Sequence, residues 1–222
     1  MLRAKQVDGI IAFPTGDNVE LYNQLNKSNY PIVFMDRIVT GVSIDTVLLD
    51  NERAAKIAVD TLIGKGYEQI GMITPPLREG VTPRRERIQG YKNALLDHQV
   101  AFNPDYLASA EIPDIQAKIS AMLSLKIPPK ALIALNDRVL FEILTYTKKH
   151  QIRIPEDLAV IGIDDVSFAS FYSPALTTVA QPAFEMGKKA AALLLNRIRD
   201  KGTVAEAEIH RFEPQLMIRE SC

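Results

Sequence analysis

The sequence predicts an α/β protein: doubly wound, mostly parallel sheets with helices on both faces. Three observations lead there. Short, nearly continuous apolar runs recur along the chain, the mark of parallel strands buried on both sides. Between them lie stretches whose apolar residues repeat at helical spacing. The composition, 47% apolar and 24% charged over 222 residues, is that of a globular chain able to bury a sizeable core.

Residues 7–13, 31–35, 46–49, 70–74, 131–135 and 158–163 read as strands. Residues 51–65 read as a helix, because Ala54, Ala55, Ala58 and Leu62 share a face and Gly66 stands where a C-terminal helix glycine belongs. Residues 84–96 and 114–125 are two further helices. Val139, Leu140, Ile143, Leu144 and Thr147 give residues 136–150 the same periodicity. Phe184, Gly187, Ala191, Leu194, Leu195 and Ile198 do so for residues 184–199. Residues 208–219 read as two short strands that return to the body, and no repeat or low-complexity tract interrupts the pattern.

Charge and composition exclude some classes. With 26 basic and 27 acidic residues the net charge is −1, so the surface as a whole is not a nucleic-acid footprint. Cys222 is the only cysteine, which excludes an internal disulfide and a cysteine cluster for zinc. Residues 1–6 lack the apolar core of a secretion signal. The longest apolar runs, such as 190–195, fall far short of the ~20 residues that span a bilayer. These features predict a soluble, cytoplasmic protein with no membrane partner.

The strand ends carry the chemistry. Residues 31–35 end in Asp36-Arg37, 131–135 in Asn136-Asp137, and 158–163 in Asp164-Asp165. Residues 70–74 lead through a loop with Pro and Gly to Arg84, Arg85 and Arg87. Open α/β sheets bind ligands outside the carboxyl ends of their strands. Asp, Asn and Arg together accept from and donate to hydroxyls and ring nitrogens, as a sugar-like or nucleoside-like ligand requires. Each residue also has a structural reading. Asp and Asn after a strand are common helix N-caps, a task that Asp137 and Asp165 suit better than Asp36, Asn136 or Asp164. The arginines are solvated or paired with Glu79 and Glu86 in the structural reading. Three cations at a helix N-terminus, however, oppose its dipole at roughly 0.3–1 kcal/mol each.

Signs of catalysis are sparse. His98, His150 and His210 are set apart from these loops, and no dinucleotide fingerprint, phosphate loop, nucleophile elbow or zinc-protease motif occurs. Asp164-Asp165 has no third carboxylate nearby in the sequence. No catalytic residue, metal or cofactor is therefore expected. Phe13, Phe171 and Phe184 read as core. Phe168 and Tyr172, just beyond Asp164, are the best aromatic candidates for a pocket wall.

Several ordered motifs resemble the effector-binding core of the lactose/galactose-repressor (LacI/GalR) family. They are Tyr30-Pro31-Ile32-Val33-Phe34-Met35-Asp36-Arg37, Asp50-Asn51-Glu52, Gly66-Tyr67-Glu68-Gln69-Ile70-Gly71 and Arg85-Glu86-Arg87-Ile88-Gln89-Gly90-Tyr91. Leu135-Asn136-Asp137, Ile154-Pro155-Glu156-Asp157-Leu158, Val160-Ile161-Gly162-Ile163-Asp164-Asp165 and Ser173-Pro174-Ala175-Leu176-Thr177-Thr178-Val179 follow, then Gln181-Pro182 and Ile218-Arg219-Glu220-Ser221. The resemblance covers essentially the whole chain. It implies a periplasmic-binding-protein-like fold of two subdomains, an amino subdomain of residues 1–48 and 180–207 and a carboxyl subdomain of residues 49–179 and 208–222. It implies a small effector in the cleft between them, with Asp36 facing Arg87, Asn136 and Asp164, and with Arg85 and Phe168 as further contacts. It implies operator DNA bound through an N-terminal helix-turn-helix that this sequence lacks, a homodimer, and an amino subdomain truncated at its start. The loop from Pro75 to Arg84 is about two residues longer than the family pattern, and Pro83 stands near a usual Ser/Thr ligand position. The segment before Ala131 is about two residues shorter, and a bulky residue common near Ala183 is absent. The alternative reading is a sugar-binding protein of a transport system with the same fold, and a third is an α/β enzyme.

Overall fold

The structure, a computed structural model, describes residues 7–14, 18–78, 80–200 and 206–222. Glu79, and residues 1–6 and 201–205 of the expected amino subdomain, lie outside the described residues. In chain order the elements are β1 (Ile10–Ala12), α1 (Val19–Lys27), β2 (Ile32–Met35), β3 (Thr46–Leu49), α2 (Asn51–Gly64), β4 (Ile70–Thr74) and α3 (Thr82–Asp97). They continue with β5 (Leu107–Ser109), α4 (Ile115–Leu123), β6 (Ala131–Ala134), α5 (Asp137–Lys149), β7 (Ala159–Ile163), β8 (Thr177–Ala180), α6 (Ala183–Arg199), β9 (Ile209–Phe212) and β10 (Gln215–Met217).

The chain forms two compact units. The first comprises Met1–Asp50, Arg78–Pro83 and Pro182–Glu213, the second Asn51–Leu77, Arg84–Gln181 and Pro214–Cys222. The first unit holds a parallel sheet in the order β1-β2-β3-β9, with α6 packed against β1, β2 and β3. Tyr22 and Leu25 of α1 join a core with Ile32, Phe34, Val39 and Ile44, and the Tyr22 ring meets Phe34 edge-on at 4.8 Å.

The units differ from the sequence reading most in two places, and elsewhere by two residues, with Leu49–Asp50 in the first unit and Ala180–Gln181 in the second. Residues 208–222 were expected in the carboxyl subdomain, yet β9 pairs in parallel with β3 and completes the first sheet. Asp45 holds it there: this carboxylate, 2% exposed, accepts two hydrogen bonds from Arg197 at 2.7 Å each and one from the Glu208 backbone N–H at 2.8 Å. Arg78–Pro83 also belongs to the first unit, where the Thr82 hydroxyl accepts the Ile38 N–H at 3.2 Å.

The second unit holds a sheet in the order β10-β8-β7-β6-β4-β5, parallel except for β10. One face packs under α4 and α5 through Leu132, Ala134 and Val160. Successive strand residues point to opposite faces, so Met72, Ile133 and Ile161, all fully buried, pack on the other side, where α2 lies against β7, β8 and β10. Helix α3 crosses α2 so closely that a Cβ on Gly90 would stand 2.2 Å from the Glu52 carbonyl oxygen. Only glycine permits that approach. Arg87 precedes Gly90 by three residues and shares its helix face, so the same contact carries Arg87 to the start of α2.

Candidate functional site

Arg87 links the carboxyl ends of two strands of the second unit, β6 and β7, to the start of α2. Its guanidinium is 5% exposed. Nε donates to the Asn51 side-chain oxygen at 2.8 Å, and Nη1 donates to the Leu135 carbonyl at the end of β6 at 2.5 Å. Nη2 stands 3.7 Å from Oδ1 of Asp164, which follows β7. That is ion-pair distance but too long for a hydrogen bond. A ligand hydroxyl can accept from such a guanidinium and donate to such a carboxylate. Gln181, just after β8, donates to Asp164 Oδ1 at 2.5 Å and orients it.

The structure thus brings Arg87, Asp164 and the backbone beside Asn136 together. Asn136 itself caps α5, its side-chain oxygen accepting the Val139 N–H at 3.0 Å. The capping role therefore falls to Asn136 rather than to Asp137. Asp165 does another structural task. It accepts from Thr178 at 2.6 Å and from Arg219 at 2.8 Å, and the Arg219 guanidinium holds its carboxyl below the usual carboxylate range.

Asp36 ends β2 in the first unit, where Arg37 Nε donates to its Oδ2 at 3.0 Å. Asp36 and Asp164 share a backbone signature, φ of 74° and 93°. Left-handed conformations at non-glycine residues cost of order 1–3 kcal/mol and cluster at ligand clamps. Both aspartates occupy positions where glycine is the easier residue.

Arg85 and Phe168 are not grouped with these residues. Arg85 is exposed, because positions two apart on a helix point to different sides. Phe168 lines a hollow of about 420 Å³ with Phe141, Leu144, Phe171 and Tyr172, on the outer side of α5. Asn51 and Gln181 stand in the sequence reading only within the family motifs, not among its candidate ligand contacts. The strand-end rule applied to residues 46–49 points to Asp50-Asn51, and Gln181 was hidden because Thr177 and Thr178 mask β8 as a polar stretch. Among the described residues no group of three or more His, Cys, Asp or Glu is placed to hold a metal ion, and no helix is long and apolar enough to cross a membrane.

Two open-sheet units, the second with polar groups gathered at its carboxyl strand ends, define an α/β binding-protein architecture. The model of the periplasmic binding protein-like domain family matches residues 59–222, and the chain belongs to that family. Within it the chain is 47% identical over 221 residues to a probable HTH-type transcriptional regulator, EndR, of Paenibacillus polymyxa, covering 98% of this chain. The chain spans 65% of the length of that relative. Its fold matches the transcriptional regulator CelR in complex with cellobiose, at 29% identity and a TM-score of 0.86, over all of this chain and 68% of that one. A LacI-family regulator from Enterococcus faecium with bound ribose matches at 28% identity and a TM-score of 0.84, over 99% of this chain and 81% of that one.

Proposed function

We propose that the chain is the ligand-sensing core of a LacI-type, DNA-binding transcription regulator, and that its effector is a small sugar-like or nucleoside-like molecule. One observation carries this reading: a buried arginine, Arg87, beside Asp164 at the carboxyl ends of parallel strands. Arg87, Asn136 and Asp164 bind the effector, and Asp36 is the first unit's contribution to it. The regulator relatives support the class, and the cellobiose and ribose bound to two structural neighbours support the ligand chemistry. The effector binds two conformational states unequally, and that difference in affinity alters DNA binding. Operator DNA is held by a helix-turn-helix outside this sequence. The working protein is a cytoplasmic homodimer without enzymatic activity. The exposed aromatic surface around Phe141 and Phe171 supports the dimer, since large exposed apolar patches mark association sites.

Calorimetry of the chain against ribose, cellobiose and a panel of other saccharides, nucleosides and purine bases tests the reading. At least one compound binds, and Asp164→Ala weakens it by roughly 1.5–3 kcal/mol, the worth of a charge-assisted hydrogen bond. Unchanged affinity in that variant refutes the assignment of the site.

A further inference from the structure

We infer that Asn51 is the positioning residue for Arg87. Its importance for effector binding rests on the function proposed above, whereas its geometry stands alone. Asn51 opens α2, is 1% exposed, and is the first residue of the second unit. Its side chain makes two opposed hydrogen bonds to neighbouring residues of α3. The oxygen accepts from Arg87 Nε at 2.8 Å, and Nδ2 donates to Glu86 Oε2 at 2.9 Å. Only one orientation of the amide satisfies both, because a guanidinium only donates and a carboxylate only accepts.

With Nε on Asn51 and Nη1 on the Leu135 carbonyl, two corners of a planar group are fixed. The third nitrogen, Nη2, is thereby directed toward Asp164. Arginine has several rotatable bonds, and binding through an unheld guanidinium loses rotamer freedom at each encounter. Asn51 removes that loss in advance, and the glycine crossing at Gly90 brings the two helices close enough for it to do so.

The swap variant N51D/E86Q tests the inference. It exchanges donor and acceptor between the two positions and leaves the Arg87 Nε contact satisfied. Three properties are read for it, N51L, N51D and the parent chain: hydrogen exchange of the Arg87 Nε–H by ¹⁵N NMR, affinity for ribose and cellobiose, and melting temperature. In N51L the Nε–H exchanges about tenfold faster or more, as expected for loss of one hydrogen bond to a charged group, and sugar affinity falls by a similar factor. N51D alone sets two carboxylates against each other and is impaired, whereas the swap variant restores both properties. An Nε–H equally protected in N51L overturns the inference. So does a swap variant that regains its melting temperature but not its Nε–H protection, because Asn51 then serves only packing. If N51L does not fold, N51D and the swap variant decide by the same readouts. If the parent binds neither sugar nor any compound of the panel, the effector reading fails, and the NMR comparison still decides the role of Asn51.

Discussion

Asp36 shows how one residue sets binding against stability. Its φ of 74° strains an L residue, and its carboxylate sits 30% exposed with Arg37 beside it. Asp36→Gly relieves the strain, a gain of about 1 kcal/mol after glycine's own entropic cost. The melting temperature is therefore expected to hold or rise while affinity for the proposed effector falls about tenfold or more. A clear drop in melting temperature would show that Asp36 is a structural residue. The residues of the site were legible in proportion to their distance from a recognisable strand. Asp36 and Asp164 directly follow apolar runs and are candidates by the strand-end rule alone, whereas Arg87 lies inside α3, beyond the loop after β4, and that rule offers only the cluster Arg84, Arg85 and Arg87, from which the family resemblance selects it. The capping of α5 by Asn136 was not legible, because sequence does not decide which of two adjacent polar residues turns back on the helix. Asn51 has only its place after β3 to mark it, and position alone does not tell a buried amide from an exposed one.

At the scale of elements, apolar periodicity found the buried strands β4, β6 and β7 to within a residue, and α2 and α5 likewise. It missed α1, whose sequence is mostly polar and buries only Tyr22 and Leu25. It also overextended β1, where only residues 10–12 pair. The destination of residues 208–212 was lost because a short strand pattern, β9, names no partner, and the buried Asp45 that fixes it lies far away in sequence. The segment after β10 is tied down by charge. Arg219 bonds Asp165, Thr178 and the Leu176 carbonyl, and it lowers the pKa of Asp165. A carboxyl held below its unfolded value stabilises the fold above the ordinary carboxylate range. That stabilisation is lost as pH falls through the lowered value. Urea unfolding between about pH 7 and pH 3 is expected to show Arg219→Ala less stable at neutral pH by on the order of 1 kcal/mol, as for other partly exposed ion pairs. The gap between variant and parent should close toward acid. A gap that stays constant with pH would assign the loss to the uncharged contacts of Arg219.

For the molecule as a whole, the near-neutral charge leaves association to apolar surface. Phe171 is 86% exposed and Phe141 59%, on the rim of the hollow beside α5. Burying such rings contributes roughly 1.5–3 kcal/mol each. Phe171→Glu is therefore expected to shift the proposed dimer toward monomer by tenfold or more in its dissociation constant, as read by sedimentation equilibrium, with the melting temperature of the monomer preserved. An unchanged dissociation constant would place the dimer contact elsewhere. The two units themselves are interleaved in sequence, since the chain passes between them at residues 50/51, 77/78, 83/84, 181/182 and 213/214.

That interleaving governs the order in which the molecule can assemble on the ribosome. The sheet of the first unit is closed by a hydrogen bond between Asp45 and Glu208, which spans 163 residues. Until those residues have been made, β3 presents an unpaired edge and the Asp45 carboxylate lacks Arg197. A loop of that length costs little more in entropy than one of half the size, about 0.6 kcal/mol per doubling, yet long-range parallel pairing is slow. The core strands β4, β6 and β7 and their helices are complete well before β9 emerges. The second unit is thus able to form most of its sheet first, while the first unit, whose α6 and β9 are made late, completes its own pairing last.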